Sequence, residues 1–280
     1  MTIRVLVVDD SALMRQLLTQ GLGTDTSIEV VGAASDPYVA RDMIMRLNPD
    51  VITLDVEMPR MDGVEFLRRL MPQHPVPVVM VSSLTKRAAK TTFAALEAGA
   101  IDFVQKPASN VKDGMRVLLS ELIEKVKVAS RANVAHLRRD RNEVRRVLDA
   151  PQQVLTASTD KIIAIGASTG GTEACLEVLA ALPPTSPGIV VVQHMPPVFT
   201  KMYAQRLDRE CRLSVKEAED GDRVTAGRVL LAPGGRQMRV RRSGGHYKVE
   251  LGGSEKVSSH CPSVDVLFSS VAEVAGPHSV

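Results

Sequence analysis

Apolar residues in the first hundred positions form short continuous runs that alternate with longer segments in which they recur every three or four positions. Short runs are typical of strands buried in a parallel sheet, and the longer segments are typical of amphipathic helices. The alternation predicts a doubly wound α/β domain with five parallel strands between residues 3 and 108. The predicted strands are IRVLVVD, IEVVGAAS, VITLDV, PVVMVS and DFVQKP, and the predicted helices are SALMRQLLTQGL, DPYVARDMIMRLN, GVEFLRRLMPQ and RAAKTTFAALEAGA.

A second α/β pattern begins at residue 161. Its predicted strands are KIIAIG, GIVVVQH, RVLLAP and MRVRR, its predicted helices are GTEACLEVLAAL, TKMYAQRLDREC and PSVDVLFSSVAEVA, and the final HSV resembles the start of another strand. The segment between the two patterns starts as an amphipathic helix, MRVLLSELIEKVKVA, and continues into the charged stretch HLRRDRNEVRRVL. We therefore predict domains at 1–125 and 158–280, joined by a charged, partly helical linker at 126–157.

Composition excludes several classes of protein. With 44% hydrophobic and 24% charged residues, the chain is expected to fold rather than remain disordered. No apolar run approaches the roughly 18 residues of a membrane span, so we expect no direct insertion into a membrane. Three distant cysteines without a CxxC pair favour neither a disulfide framework nor a zinc site. These features predict a cytoplasmic protein.

The charge is concentrated in the linker. Residues 124–149 hold eight Lys or Arg and four Asp or Glu, whereas residues 155–280 hold 14 basic and 13 acidic residues, a net of +1. A domain-wide basic surface for nucleic acid is therefore not predicted. A two-domain regulator that binds DNA stays open as an alternative, because HLRRDRNEVRR is basic, and salt-sensitive binding to duplex DNA would support it.

Three aspartates end neighbouring strands of the first predicted domain. Asp9 and Asp10 end the first strand and Asp55 ends the third, and these strands are adjacent in a flavodoxin-like order. Clustered carboxylates repel one another unless a hard cation neutralises them, and oxygen ligands suit Mg²⁺. The aspartates therefore predict a magnesium site, although strand-end aspartates also serve as helix caps.

Asp55 is the best placed of the three to act as a nucleophile. A carboxylate beside Mg²⁺ attacks phosphorus readily because the cation withdraws charge from the phosphoryl oxygens. Lys106, after the fifth strand, supplies a fixed positive charge in reach of the same pocket. Ser82 ends the fourth strand, where its hydroxyl is able to donate to a phosphoryl oxygen. These positions predict a phosphorylation site.

The motifs VLVVDDSALMR, LDVEMPRMDG, VMVSS and the Lys-Pro pair at 106–107 closely resemble the response-regulator receiver family over residues 1 to about 125. The resemblance implies that Asp55 is the phosphoacceptor. It also implies that Mg²⁺ is held by Asp10, the Asp55 carboxylate and the Glu57 backbone carbonyl, with Asp9 assisting.

The same resemblance assigns two residues to the conformational switch. Phe103 stands at the position of the family's switch aromatic, and Ser82 at the position of the coupled hydroxyl. For Phe103 a simple packing role in the core stays open, because aromatic residues beside strands are usually buried.

A serine lies in a glycine-rich turn of the second domain. In IIAIGASTGGTEACLEVL, Gly166, Ser168 and Gly170 spell G-x-S-x-G between a strand and a helix. This geometry raises a serine hydroxyl at the sheet edge and directs helix N-terminal amides at it. Ser168 is the candidate nucleophile and the Thr169 amide a candidate oxyanion donor. A phosphate cradle is the alternative, but neither GxGxxG nor a Walker A lysine is present.

His194 is the candidate general base, because it ends the next strand, GIVVVQH, and so reaches the same sheet edge. His260 precedes a predicted helix and is the second choice. A purely structural strand-end role for His194 also stays open.

Four motifs of this domain are similar to the catalytic domain of bacterial chemotaxis protein-glutamate methylesterases, the CheB-type family: IGASTGGTEACL, VVVQHMPP, LLAPGGRQMRV and HCPSVDVLF. The resemblance implies that Ser168 is the nucleophile and His194 the base. It further implies hydrolysis of glutamate γ-methyl esters on chemoreceptors with release of methanol, deamidation of receptor glutamines, and no cofactor in this domain.

One family feature is missing from these 280 residues. The family's third catalytic residue is an aspartate in a G-M-G-x-D-G segment, which does not occur before Val280, and Asp265 matches a different position. We therefore expect the second domain to be truncated, with its third triad residue beyond Val280. Loss of that carboxylate in a comparable triad costs about 10⁴ in turnover, so we predict an impaired enzyme. Near-normal methanol release would contradict this prediction.

The order of the domains implies regulation. By the resemblance, the unmodified receiver covers the esterase site, and phosphoryl transfer from a chemotaxis histidine kinase exposes it. The expected partners are methyl-accepting chemotaxis receptors and that kinase. A non-catalytic receptor adaptor stays open as a further alternative, which hydrolysis dependent on Ser168 would reject.

Overall fold

The structure is a computed structural model that describes residues 2–83, 86–107, 111–134 and 161–280. Most of the predicted linker, including the HLRRDRNEVRRVL segment, lies outside the described residues. The chain forms two compact units, within residues 1–143 and 144–280.

The first unit contains a five-stranded parallel sheet in the order β2-β1-β3-β4-β5. Its strands are β1 (Ile3–Val8), β2 (Ile28–Ala34), β3 (Val51–Asp55), β4 (Val78–Ser82) and β5 (Asp102–Gln105). Its helices are α1 (Ala12–Leu22), α2 (Pro37–Leu47), α3 (Gly63–Gln73), α4 (Lys86–Glu97) and α5 (Val111–Ala129). This order is the flavodoxin-like one and confirms the predicted fold of the first domain.

Polar caps start the helices that surround the acidic edge of this sheet. Ser11, Asp36 and Asp62 are the N-caps of α1, α2 and α3, and each side chain accepts a hydrogen bond from a backbone N–H of the first turn. Gly63 begins α3 directly beside β3, where a Cβ would overlap the carbonyl oxygen of Asp55. Helix α3 therefore packs closely behind the strand that carries Asp55.

The second unit combines a parallel sheet in the order β6-β7-β10-β8 with an antiparallel sheet in the order β11-β12-β9. The strands are β6 (Ile162–Ala167), β7 (Gly188–Gln193), β8 (Ser214–Glu217), β9 (Arg223–Val224), β10 (Arg228–Leu231), β11 (Gln237–Ser243) and β12 (His246–Gly252). The helices are α6 (Gly171–Ala181), α7 (Phe199–Glu210) and α8 (Val264–Ala275). Helix α8 shares a hydrophobic core with both sheets.

The predicted strand at HSV is present as a short pairing on the free edge of β6. The Val280 N–H donates to the Ile162 carbonyl at 3.0 Å, and the Ala164 N–H donates to the Val280 carbonyl at 2.9 Å. No helix among the described residues is long and apolar enough to cross a membrane.

Candidate functional site

Asp9, Asp10 and Asp55 lie close together at the edge of the first sheet, as predicted. Asp9 follows β1 and Asp55 ends β3, and one carboxylate oxygen from each of Asp9, Asp10 and Asp55 lies within 4.8 Å of the other two. Asp9 and Asp55 are 0% and 4% exposed, whereas Asp10 is open to solvent. Buried carboxylates around an open position are the oxygen donors that a divalent cation with bound waters prefers, so these residues fit Mg²⁺.

Lys106 holds this acidic cluster together. Its Nζ lies 2.9 Å from Asp9 Oδ2 and 2.8 Å from Asp55 Oδ2. The hydrogen bond from the Lys106 N–H to the Ser82 carbonyl, 2.7 Å long, fixes the backbone that carries this side chain. Burial alone would lower the pKa of Lys106, but the charges of Asp55 and Asp9 outweigh it and raise the pKa above its usual value. The ammonium therefore stays charged.

The pKa of Asp55 is strongly raised. Burial raises the pKa of Asp55 to about 6 from its ordinary 3.8, against the opposing charge of Lys106 and with a smaller contribution from the charge of Asp9. The folded, metal-free protein therefore binds more protons at Asp55 than the unfolded chain between pH 4 and 6. Stability consequently falls as pH rises through that window.

Replacing Asp55 by asparagine tests this linkage. In metal-free protein, Asp55→Asn is expected to raise the free energy of unfolding at pH 7.5 by on the order of 1–3 kcal/mol, because it removes a buried charge. The gain should vanish near pH 4, where the native carboxyl is already protonated. Urea unfolding in chelator at several pH values measures the effect. Asp42→Asn, at an exposed carboxylate, is the control, and an equal gain in both variants would contradict the linkage.

The remaining predicted residues of the first domain surround this cluster. The Glu57 N–H donates to Asp55 Oδ1 at 3.4 Å, and its carboxylate accepts from Ser83 Oγ at 3.2 Å. Ser82 is buried beside Asp55 at the adjacent strand end, and Thr92 Oγ1 on α4 donates to its hydroxyl at 2.5 Å. The hydroxyl thus links the strand end to α4.

Phe103 is buried in β5 and contacts a lysine that sequence reasoning did not single out. Lys125 Nζ, on α5, donates to the Phe103 carbonyl at 2.6 Å and lies 5.4 Å from the centre of its ring. Asp102 pairs with the same ammonium at 3.1 Å. The inward position of Phe103 is therefore stabilised from α5, and its role as a switch remains a prediction.

Ser168 and His194 are neighbours in the second unit. Ser168 lies in the turn between β6 and α6, and His194 directly follows β7, which pairs with β6 in parallel. Ser168 Oγ is 3.2 Å from His194 Nδ1. With Nδ1 accepting the hydroxyl hydrogen, the neutral ring carries its proton on Nε2. The geometry suits a nucleophile and its base.

Glycines give this turn its shape. Gly170, the N-cap of α6, has a φ of 75°, in the left-handed region that glycine adopts without strain. The Gly171 N–H donates back to the Ser168 carbonyl at 2.8 Å. Thr169, half-buried, follows the nucleophile at the start of this turn, where its amide was predicted as an oxyanion donor.

Gln193 is a residue of this site that sequence reasoning missed. Its buried side chain donates from Nε2 to the Ser168 carbonyl at 2.8 Å, so the strand end before His194 also fixes the backbone of the serine. A Cβ at Gly171 would overlap the Gln193 Oε1, which explains the glycine there. The sequence signal that could have identified Gln193 is its position directly before His194, the candidate base.

Removing this amide is expected to disturb the serine without unfolding the unit. Gln193→Met keeps the length of the side chain but loses the donor, so kcat for ester hydrolysis should fall about tenfold with an unchanged KM. The exposed Gln205→Met, on α7, is the matched control. Steady-state kinetics on a methyl-esterified receptor measure the difference, and a wild-type kcat would show that Gln193 is dispensable.

Comparison with known proteins agrees with both units. Residues 5–118 match the response regulator receiver domain family, and residues 163–280 match the CheB methylesterase family. A relative from Syntrophotalea carbinolica, named protein-glutamate methylesterase/protein-glutamine glutaminase, is 57% identical over 279 residues, covering 99% of this chain and 79% of that protein. One of the same name from Sulfurimonas denitrificans is 53% identical over 283 residues, covering 100% of this chain and 80% of that protein.

These matches confirm the resemblance drawn from the motifs. The chain belongs to the family of two-domain receiver-linked enzymes named protein-glutamate methylesterase/protein-glutamine glutaminase.

Proposed function

We propose that this protein is a phosphorylation-activated methylesterase of chemotactic adaptation. It hydrolyses glutamate γ-methyl esters on chemoreceptors, releasing methanol, and it deamidates receptor glutamines. The observation that carries the proposal is the 3.2 Å approach of Ser168 Oγ and His194 Nδ1, in a chain whose relatives bear this enzyme's name.

Ester hydrolysis proceeds through a covalent acyl-enzyme. Ser168 Oγ passes its proton to His194 Nδ1 and attacks the ester carbonyl carbon, and the Thr169 amide stabilises the oxyanion that forms. When the tetrahedral intermediate collapses, His194 returns the proton to the departing methoxide, which leaves as methanol. A water molecule, deprotonated by the same imidazole, then releases the receptor glutamate. A glutamine amide follows the same course and releases ammonia.

The receiver unit controls this reaction through Asp55, which accepts a phosphoryl group from a chemotaxis histidine kinase. Asp10, the Asp55 carboxylate and the Glu57 backbone carbonyl would hold Mg²⁺, assisted by Asp9. When bound, the ion would supply positive charge that offsets the charge on the phosphoryl oxygens. Lys106 is already paired with Asp55 and supplies a fixed cation for the acyl phosphate.

Phosphorylation changes the receiver through the Ser82 hydroxyl, at the strand end next to that of Asp55, and through the ring of Phe103 on β5. Ser82 turns towards the phosphoryl group at the expense of its hydrogen bond with Thr92, and Phe103 repacks in response. The unmodified receiver, predicted at 1–125, restrains the esterase domain, predicted at 158–280, and the modified receiver releases it. The catalytic domain itself needs no cofactor.

The proposed partners are methyl-accepting chemotaxis receptors and the phosphodonor kinase, and the proposed location is the cytoplasm. Support for a reducing compartment comes from Cys175, Cys211 and Cys261, all of which are free thiols.

Methanol release from receptor-containing membranes tests this function. The purified chain is mixed with receptors carrying radiolabelled methyl esters, with or without Mg²⁺ and acetyl phosphate as phosphodonor. We expect volatile label to be released and the rate to rise about tenfold with the phosphodonor, within the usual range of allosteric coupling. No release above a protein-free blank, with or without the phosphodonor, would contradict the proposal.

A further inference from the structure

A second histidine lies flat against the candidate base. The rings of His194 and His260 are stacked with their centres 3.6 Å apart and their planes within 4° of each other. His260 comes from the segment between β12 and α8, 66 positions further along the chain. Sequence reasoning considered it only as an alternative base, whereas the structure gives it a different relation to His194.

A tight turn presents His260 to this stack. Val257 and His260 exchange two backbone hydrogen bonds, each 3.0 Å long, around the two residues Ser258 and Ser259. Ser258 and Ser259 have φ values of 49° and 68°, as the central residues of a type I′ turn require. Serine adopts this region at a cost that asparagine or glycine largely avoids. The turn is therefore held by contacts around it.

Side chains on three sides supply those contacts. His260 Nδ1 donates to the Ser258 carbonyl at 2.7 Å, which fixes both the ring's orientation and the nitrogen that carries its proton. Ser258 Oγ donates to Asp265 on α8 at 2.5 Å. Gln237, buried at the start of β11, donates to the His260 carbonyl at 3.2 Å and accepts from the Ser263 N–H at 2.8 Å. These hydrogen bonds hold the His260 ring in one orientation beside His194.

We propose that His260 is a positioning residue for ester hydrolysis, holding the imidazole of His194 with Nδ1 facing Ser168 Oγ. The inference rests on the proposed function of the Ser168–His194 pair. An imidazole beside a strand end rotates about two side-chain bonds, and a displacement of about 1 Å is enough to cost two orders of magnitude in rate. A flat ring anchored at van der Waals distance removes most of that freedom.

We expect His260 to act on His194 through the flat shape of its ring. This expectation distinguishes a positioning role from an acid–base role. The rings lie nearly face to face, an arrangement that aromatic pairs favour less than an offset one, so the value of the stack lies in the contact that confines the His194 ring. A flat phenyl ring should therefore replace the His260 imidazole, whereas a branched aliphatic side chain of comparable bulk should not. If His260 acted as an acid or a base, the Phe variant would lose activity, because a phenyl ring neither donates nor accepts a proton.

The experiment compares three substitutions in the full chain: His260→Ala, His260→Leu and His260→Phe. We expect the Ala and Leu variants to lose about tenfold in kcat, with KM within about twofold of wild type, because a positioning residue acts on the chemical step. The Phe variant should recover to within about threefold of wild type. His246→Ala, at an exposed histidine at the start of β12, is the matched control and should be unchanged.

Thermal unfolding of every variant accompanies the kinetics, and the Leu–Phe comparison remains decisive if the Ala variant unfolds. A wild-type kcat in the Leu variant, or an equal loss in the Leu and Phe variants, would overturn the positioning role. Ser168→Ala is measured in the same assay. If that variant still releases methanol, the proposed function fails; if it is inactive while His260 variants are normal, only this inference fails.

Discussion

Ser168→Ala is expected to lower methanol release by about 10²-fold or more, because the turnover of this chain is already predicted to be low and the oxyanion donors retain a residual rate above the uncatalysed reaction. The hydroxyl forms the covalent bond, and neither His194 nor the amides of the turn replaces it. Radiolabelled methanol collected from methyl-esterified receptor membranes measures the loss. Thermal unfolding should stay within a few degrees of wild type, because Ser168 is exposed and its side chain fills no core space.

Ser254→Ala supplies the control for this experiment, since Ser254 is also an exposed loop serine of the second unit. It should retain wild-type turnover. Methanol release that survives in Ser168→Ala would mean that the hydrolase assignment is wrong and would favour the reading of the chain as a receptor adaptor.

Asp55→Ala is expected to abolish stimulation by acetyl phosphate while leaving the low basal hydrolysis unchanged. The substitution removes the carboxylate that accepts the phosphoryl group and one of the proposed Mg²⁺ ligands, yet it does not touch the Ser168–His194 pair. The ratio of methanol release with and without phosphodonor should therefore fall to about one, from an expected value of about ten.

Asp42→Ala is the appropriate comparison, because Asp42 is an exposed aspartate of the same unit, on α2. Radiolabelled phosphoryl transfer to the chain should disappear in Asp55→Ala and persist in Asp42→Ala. Stimulation that persists in Asp55→Ala would reject Asp55 as the phosphoacceptor and leave the catalytic assignment untouched.

The sequence was sufficient to predict the parallel sheets and the meeting of distant side chains at their edges. Strands buried on both faces must be continuously apolar, so VLVV and IVVV indicate them directly. Because parallel strands end at a common edge, Asp9 and Asp55, and likewise Ser168 and His194, could be placed near each other without coordinates.

Strands β8, β9 and β12 were not predicted, although β11, the antiparallel neighbour of β12, was predicted from MRVRR. Strand β12 follows a Gly244-Gly245 turn and alternates polar and apolar residues. This pattern indicates a hairpin. The buried strands were identified by continuous apolar runs, so a search for such runs does not find β12. Strands β8 and β9 are four and two residues long, too short for a periodic pattern. Their presence depends on neighbouring strands, which a local pattern does not contain.

The supporting contacts of the active site were also beyond prediction. Gln193 reaches the Ser168 carbonyl only because β6 and β7 pair in one particular register. The stack of His260 on His194 depends on two serines in the left-handed region, which sequence preferences disfavour. Such contacts are set by tertiary structure, so they appear only once the chain has folded.

The double ion pair of Lys106 has a consequence for a resting receiver. Its ammonium already pairs with Asp9 Oδ2 and Asp55 Oδ2, and both aspartates belong to the proposed Mg²⁺ site. Lys106 would therefore compete with any divalent ion that binds this cluster, while it keeps the buried negative charges compensated when such ions are scarce. Binding of such an ion would be an exchange between two cations, one of them permanently tethered to the chain.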